Sequence, residues 1–69
     1  MSIIKVIEVI AESKDGWEEA AQDAVTQASK TVRNIKSIYV KEMQGTVEGG
    51  KITRFRVNAN ISFLLDDQG

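Results

Sequence analysis

The side chains with the most varied chemistry lie on one face of a single stretch of the chain. Between residues 52 and 65, apolar residues alternate with a polar series that reads Arg54, Arg56, Asn58, Asn60 and Ser62. A strict period of two is typical of a β-strand, so these five side chains are expected to project from the same face. Guanidinium, amide and hydroxyl groups can bind a small molecule or an ion. An ordinary solvated or interfacial sheet face is the favoured interpretation of this series.

The composition argues against most catalytic sites. The 69 residues include no Cys and no His, which excludes thiol nucleophiles, imidazole acid–base chemistry, disulfides and Cys/His zinc sites. No arrangement of carboxylates or Tyr replaces them, so we expect a protein that is not an enzyme. Acidic residues near the first strand and helix could hold Ca²⁺ or Mg²⁺ across symmetry axes; they are Glu8, Glu12, Asp15, Glu18, Glu19 and Asp23. A solvated charged face is the favoured interpretation, and no metal ligand is predicted.

The charge balance also limits the partners. Nine basic and ten acidic residues give a net charge of −1, which creates no bulk field to attract nucleic acid or an anionic membrane. Neither is predicted as a partner. The apolar runs are short, and the N-terminal segment has no signal-peptide pattern, so a soluble, cytoplasmic protein is expected.

Periodicity predicts one α+β domain, residues 1–69, with the order β-α-β-β. The predicted elements are a strand at about 3–11, a helix at about 16–33, a strand at about 35–44 and a strand at about 51–65. We expect a three-stranded antiparallel sheet wrapped around the helix, with a Gly-rich turn over 45–50 between the last two strands. The first strand carries apolar residues on both faces, so it should be central or lie at a subunit contact.

Local signals refine the helix. Asp15 and Glu18 resemble a capping box, and Ser13 is a second N-cap candidate. Lys30 and Arg33 are expected in the last turn, where cations suit the helix dipole.

The last strand is long for so small a chain. Fully extended, it would reach roughly 45 Å at about 3.3 Å per residue, whereas a compact domain of this size has a diameter of roughly 30 Å. A core of this size is also marginal by itself. Both points predict a homo-oligomer in which part of the strand packs on another subunit.

Taken together, these segments resemble the dodecins, which are small β-α-β-β flavin-binding proteins that assemble as hollow dodecamers. The resemblance rests on KVIEVIAES, GWEEAAQDAVTQASKTVRNI, VKEMQGTVEGG and ITRFRVNANISFLL, which together cover almost the whole chain. It implies a non-enzymatic dodecameric shell that stores or sequesters a flavin, riboflavin or FMN, in small-molecule sites between subunits.

Two family ligand positions are changed in this chain. The Trp that stacks on the flavin ring in the family is matched by Ser37, and the Gln that hydrogen-bonds the ring edge is matched by Arg56. Glu42 matches an acidic family position near the ribityl chain, although it is equally an exposed carboxylate or an Arg partner. Ile38 or Tyr39 would replace the lost ring only in part.

The changes lead to two hypotheses. Each lost indole removes roughly 2 to 3 kcal/mol of binding free energy, if on the order of 100 Å² is buried at about 25 cal/mol per Å². The leading hypothesis retains flavin as the ligand. In the alternative, the shell no longer binds flavin and takes an anionic small molecule or ions, or is purely structural. Arg56 near a symmetry mate favours an anion, because like charges need Glu42 or a bound anion between them.

Overall fold

A computed structural model describes residues 2–65 of the chain. Its elements are β1 (Ile4–Ser13), α1 (Trp17–Ala28), β2 (Ile35–Glu48) and β3 (Lys51–Leu64). The strands form one sheet in the order β1-β3-β2, and β3 pairs antiparallel with both neighbours. The β-α-β-β order, the antiparallel sheet and the single helix are therefore confirmed. No helix in the described part of the chain is long and apolar enough to cross a membrane.

The sheet is much longer than the helix that covers it. The described chain measures 55 × 20 × 12 Å, with a radius of gyration of 14.3 Å, whereas a compact chain of this length would have about 11 Å. β2 reaches Glu48, four residues beyond the predicted end, so the turn contains only Gly49 and Gly50. Their φ angles of 59° and 78° are those of a two-residue type I′ hairpin, which favours glycine at both positions.

The core lies between α1 and the middle of β3. Val57, Ala59 and Ile61 on β3 are at most 1% exposed, and they face Ala20 and Ala24 on the helix. Because alanine has a short side chain, the helix backbone can lie close to the sheet. The apolar positions of β3 thus face α1, as their alternation predicts. The opposite side of the sheet is called the helix-distal face below; from β3 it carries Arg54, Arg56, Asn58, Asn60 and Ser62.

The start of the helix differs from the predicted capping box. Gly16 occupies the N-cap with φ 155° and ψ 169°, and no side chain caps the helix. This backbone conformation is open mainly to glycine. The Ser13 hydroxyl instead accepts a hydrogen bond from the Asp15 amide at 2.9 Å, which closes a local turn before the helix. Ser13 and Asp15 therefore shape the connection and do not cap α1.

The helix also ends earlier than predicted, at Ala28 and not at residue 33. The Ser29 hydroxyl donates to the Val25 carbonyl at 2.7 Å, and such bonding to the preceding turn competes with regular helix geometry. The next amides shift to three-residue spacing, with Lys30 N to Gln27 O at 3.1 Å. Lys30 consequently lies outside the helix. The last turn of the helix has no basic residue.

The first strand is an edge strand and not a central one. On the helix-distal face, Ile4, Val6 and Ile10 are 61%, 51% and 63% exposed. The apolar residues on this side of β1 are thus uncovered within one protomer, which leaves the predicted subunit contact as the remaining interpretation of the strand.

Candidate functional site

Two of the predicted ligand residues lie together. Arg56 and Glu42 line a cleft of about 210 Å³ on the helix-distal face, together with Ile10, Gln44 and Asn58. Ligand pockets are usually larger, about 300 to 1,000 Å³. The cleft of one protomer is therefore small for a drug-sized or cofactor-sized molecule.

Strand register positions the residues that line this cleft. Asn58 on β3 pairs with Ile10 of β1 on one side and with Glu42 of β2 on the other. A register shift between Val40 and Glu42 inserts Lys41 as an extra residue. Such a β-bulge re-aims the following side chain, and here it places Glu42 opposite Asn58. The next row toward the hairpin holds Arg56 between Glu12 and Gln44.

Arg56 is neutralised within its own protomer. Its Nε and Nη2 atoms donate to Glu12 Oε2 at 2.8 and 2.6 Å, and Arg54 Nη1 lies 3.7 Å from Glu12 Oε1. The expected partner was Glu42 or a bound anion, but the observed partner is Glu12. The side chains of Arg56 and Glu12 are 49% and 33% exposed, so the pair adds little stability. Arg54, Arg56 and Glu12 together carry a charge of +1, and the Glu42 carboxylate of the same cleft balances it.

Two oxygen acceptors in the cleft remain without donors. The Asn58 Oδ1 atom is buried and has no hydrogen-bond partner, which is unfavourable for a carbonyl oxygen. The Glu42 carboxylate makes no hydrogen bond or ion pair within residues 2–65. The cleft can therefore accept hydrogen bonds from N–H or O–H groups of a ligand at these two positions.

A second ion pair crosses the same face. The bulged Lys41 places its Nζ 3.0 Å from Glu8 Oε2, which joins the two edge strands over the central one. This contact lowers the pKa of Glu8 below its ordinary value of 4.5, first through the hydrogen bond and then through the charge of Lys41. Glu8 therefore stays ionised, and so remains a partner for Lys41, to a lower pH than an ordinary glutamate would.

Trp17 has a structural role behind the cleft. Its indole Nε1 donates to the Gln44 carbonyl at 2.9 Å, and its ring meets Phe55 edge to face at 4.7 Å. A Cβ at Gly45 would lie 3.5 Å from the Trp17 ring and 3.1 Å from Ile52, so glycine leaves room for the indole on the strand. Trp17 therefore fixes the start of α1 against the strand segment that carries Gln44.

The other two predicted residues lie elsewhere on β2. Ser37 is exposed and pairs with Ser62. Six residues of strand separate Ser62 from Arg56, roughly 20 Å at about 3.3 Å per residue. A ligand that touches both positions would therefore have to bridge two protomers. Ile38 pairs with the buried Ile61 and so belongs to the helix-facing side. Ligand roles for all four residues remain predictions.

Sequence reasoning named Glu12 and Asn58 but did not single out either of them as a residue of this cleft. Glu12 is 44 positions from Arg56, so only the register of β1 on β3 brings the two together. Asn58 was one of five similar polar positions, and nothing local distinguishes its orphan oxygen. Of the two residues considered as partial replacements for the lost ring, Tyr39 shares the face of Ser37, because it follows Ser37 by two residues.

The acidic residues considered as cation ligands do not converge. Within residues 2–65, no group of three or more His, Cys, Asp or Glu side chains is placed to hold a metal ion. Glu8 and Glu12 are engaged by Lys41 and by the two arginines.

Known proteins resemble the chain along its whole length. The Dodecin family model matches residues 3–66. The dodecin of Thermus thermophilus is 31% identical over 65 residues, 94% of each chain. A crystal structure of an arginine-to-alanine mutant of T. thermophilus dodecin covers 97% of this chain and 100% of its own, with 30% identity and a TM-score of 0.91.

A second relative carries a different ligand in its name. The calcium dodecin of Mycobacterium tuberculosis is 41% identical over 66 residues, 94% of this chain and 92% of its own. Its crystal structure, described as having a novel calcium-binding site, covers 99% of this chain and 97% of its own, with 35% identity and a TM-score of 0.79. The sequence match, the strand order and the structural likeness agree: the chain belongs to the dodecin family.

Proposed function

We propose that this chain is a non-enzymatic flavin-binding protein that sequesters riboflavin or FMN in sites between the subunits of a dodecameric shell. The observation that carries the proposal is the cleft around Arg56, Glu42 and Asn58. It has unused hydrogen-bond acceptors, a guanidinium held in place by Glu12, and too little volume in one protomer for a complete ligand.

The uncovered apolar residues support assembly. Ile4, Val6 and Ile10 form an apolar row on β1, and all three are more than half exposed. Such surfaces are usually covered by a partner, and a second copy of the same long sheet offers a self-complementary one. A symmetric contact over this face would also double the cleft and bring residue 37 of one protomer toward Arg56 of another.

The proposed binding mechanism is passive. A flavin ring presents both N–H and carbonyl groups at its edge, so the acceptors Asn58 and Glu42 and the donor Arg56 complement it. The ribityl hydroxyls would hydrogen-bond the remaining polar groups of the face. Because the sites would lie between subunits, the bound flavin would be shielded from solvent, which is the basis of sequestration.

A second candidate is the same shell with a different ligand. It would bind an anionic small molecule or ions, or act purely as a structural shell. The guanidinium groups of Arg54 and Arg56 are the donors that an anion such as a phosphate group would use. The name of the calcium dodecin relative makes Ca²⁺ the cation to test.

Fluorescence titration separates the two candidates. Riboflavin and FMN are titrated with the purified protein while their emission is followed, and the particle mass is measured by light scattering. We expect emission to be quenched by a particle of about 91 kDa, twelve times the 7.6 kDa of one chain. A particle of that mass that leaves flavin emission unchanged would refute flavin binding. Calorimetric titration with inorganic phosphate and with Ca²⁺ would then identify the alternative.

A further inference from the structure

One aromatic side chain on the helix-distal face has no role in the fold of the protomer. Tyr39 is 68% exposed, whereas the other three aromatic residues, Trp17, Phe55 and Phe63, are each partly buried. No hydrogen bond or ring contact of Tyr39 occurs in residues 2–65. An exposed aromatic ring without a packing role is available to stack on a planar molecule.

Tyr39 is also closer to the cleft than Ser37 is. Tyr39 pairs with Asn60, which makes it a diagonal neighbour of Asn58 at about 7 to 8 Å, a distance that an aromatic side chain can span. Ser37 pairs with Ser62, four residues from Asn58 and hence about 13 Å away along the strand. A ring stacked on Tyr39 can therefore have its edge at Asn58 of the same protomer, and a ring stacked at residue 37 cannot.

The unpaired side-chain oxygen of Asn58 would make the site specific for a ring with an N–H group at its edge. Asn58 Oδ1 is buried and lacks a donor, and the residue lines the cleft beside Glu42 and Arg56. The Asn58 side chain also hydrogen-bonds the Glu8 carboxylate, which can only accept, so the amide nitrogen is the donor there and the oxygen is left for an entering N–H group. The neutralised Arg56 guanidinium beside it can donate to a carbonyl on the same ring edge.

We propose that Tyr39 is the stacking platform of this protein and that Asn58 accepts a hydrogen bond from the edge N–H of the bound planar heterocycle. The ring site is thereby displaced by two residues along β2 from position 37. The inference rests on the proposed function and deepens it, because it names the residues that hold the flavin ring. It also sets a ligand requirement, which is a flat ring with an N–H beside a carbonyl.

The first test compares Tyr39→Ala and Tyr39→Phe in the riboflavin titration. Removal of the ring should weaken binding by about tenfold or more, while Phe, which keeps the ring, should bind within about threefold of wild type. Met43→Ala is the matched control, since Met43 is 63% exposed on the same strand but pairs with the helix-facing Val57. Binding that is unchanged by Tyr39→Ala would overturn the proposal. A particle that dissociates in this variant would also overturn it, because Tyr39 would then be a subunit contact.

The second test uses a ligand that lacks the N–H. Riboflavin and its N3-methyl derivative are compared on wild type, on Asn58→Ala and on the control Gln22→Ala, which removes an exposed amide on the helix. Wild type and the control should prefer riboflavin by about tenfold, and Asn58→Ala should bind the two ligands about equally. Equal binding of both ligands to wild type would refute the role of Asn58 and leave the proposed function intact. No binding of either ligand to wild type would refute the proposed function itself.

Discussion

Replacing Ser37 with Trp should restore tight flavin binding. The position is exposed on the helix-distal face and pairs with Ser62, so an indole there meets no atoms of the core. If each indole removes on the order of 100 Å² of ring surface from water, the gain is about 2.5 kcal/mol per indole, or roughly 70-fold in Kd. A site shared by two protomers receives two indoles, and affinity should then rise by three to four decades.

The assay is flavin fluorescence quenching at a fixed protein concentration, with unfolding in urea as a parallel check. Met43→Trp is the matched control, because it adds an indole at an exposed position of the same strand that pairs with the helix-facing Val57. The control should not change flavin affinity, and neither variant should change the free energy of unfolding by more than about 0.5 kcal/mol.

The double variant Ser37→Trp with Tyr39→Ala tests how this prediction relates to the role of Tyr39. Once an indole stands at position 37, the Tyr39→Ala change should lose most of its effect, since the ring then stacks on the indole. If Ser37→Trp binds riboflavin no more tightly than wild type does, residue 37 does not face the flavin, and the predicted stacking at this position is wrong.

Three further predictions concern the fold. Ile61→Ala should lower the free energy of unfolding by about 2 to 5 kcal/mol, because it opens a cavity at a fully buried position; a loss below about 1 kcal/mol in urea denaturation would contradict the assigned core. Trp17→Phe removes the 2.9 Å bond to the Gln44 carbonyl and should destabilise by about 1 kcal/mol, so an unchanged urea midpoint would refute that anchor. Glu8→Gln tests the ion pair with Lys41: the lowered pKa of Glu8 means that the pair stabilises the fold above pH 4.5 and that this contribution disappears as pH falls through the lowered pKa. The difference in stability between wild type and this variant should therefore vanish in acid, and a difference independent of pH would argue against the pair.

The local pattern of β3 was sufficient to predict its structure. Alternation from Thr53 to Phe63 assigns the apolar positions to one face, and the buried Val57, Ala59 and Ile61 follow that assignment. The same pattern does not determine strand order, because pairing depends on residues far apart in the chain. β1 was expected to be central or at a subunit contact on its composition, yet it lies at the edge of the sheet.

The ends of the helix were mispredicted for local reasons. The amphipathic pattern continues past Ala28, but the Ser29 hydroxyl bonds to the preceding turn and the following amides leave regular spacing. At the other end, the predicted capping box does not form. Gly16 occupies the N-cap with φ 155°, and no side chain caps the helix. Periodicity shows which residues are compatible with a helix, whereas the backbone conformation of Gly16 marks its start and the Ser29 hydrogen bond accompanies its end.

The candidate site, like the fold, could be predicted from the sequence only in part. The family resemblance predicted ligand roles for Arg56 and Glu42; the structure places both in one cleft, and the roles remain predictions. The partner of Arg56 could not be predicted from the sequence, because only the β1–β3 register brings Glu12 next to it. The sequence pattern also did not predict the β-bulge at Lys41. This bulge places Glu42 opposite Asn58.

The most direct test of the account is a crystal structure of the protein soaked with riboflavin. The account predicts a dodecamer with the flavin ring between protomers on the helix-distal face. The ring should stack on Tyr39, with its edge N–H within hydrogen-bond distance of Asn58 Oδ1. A dodecamer whose clefts around Arg56 are empty at riboflavin concentrations that saturate the fluorescence signal, or a flavin bound on the helix side of the sheet, would contradict it.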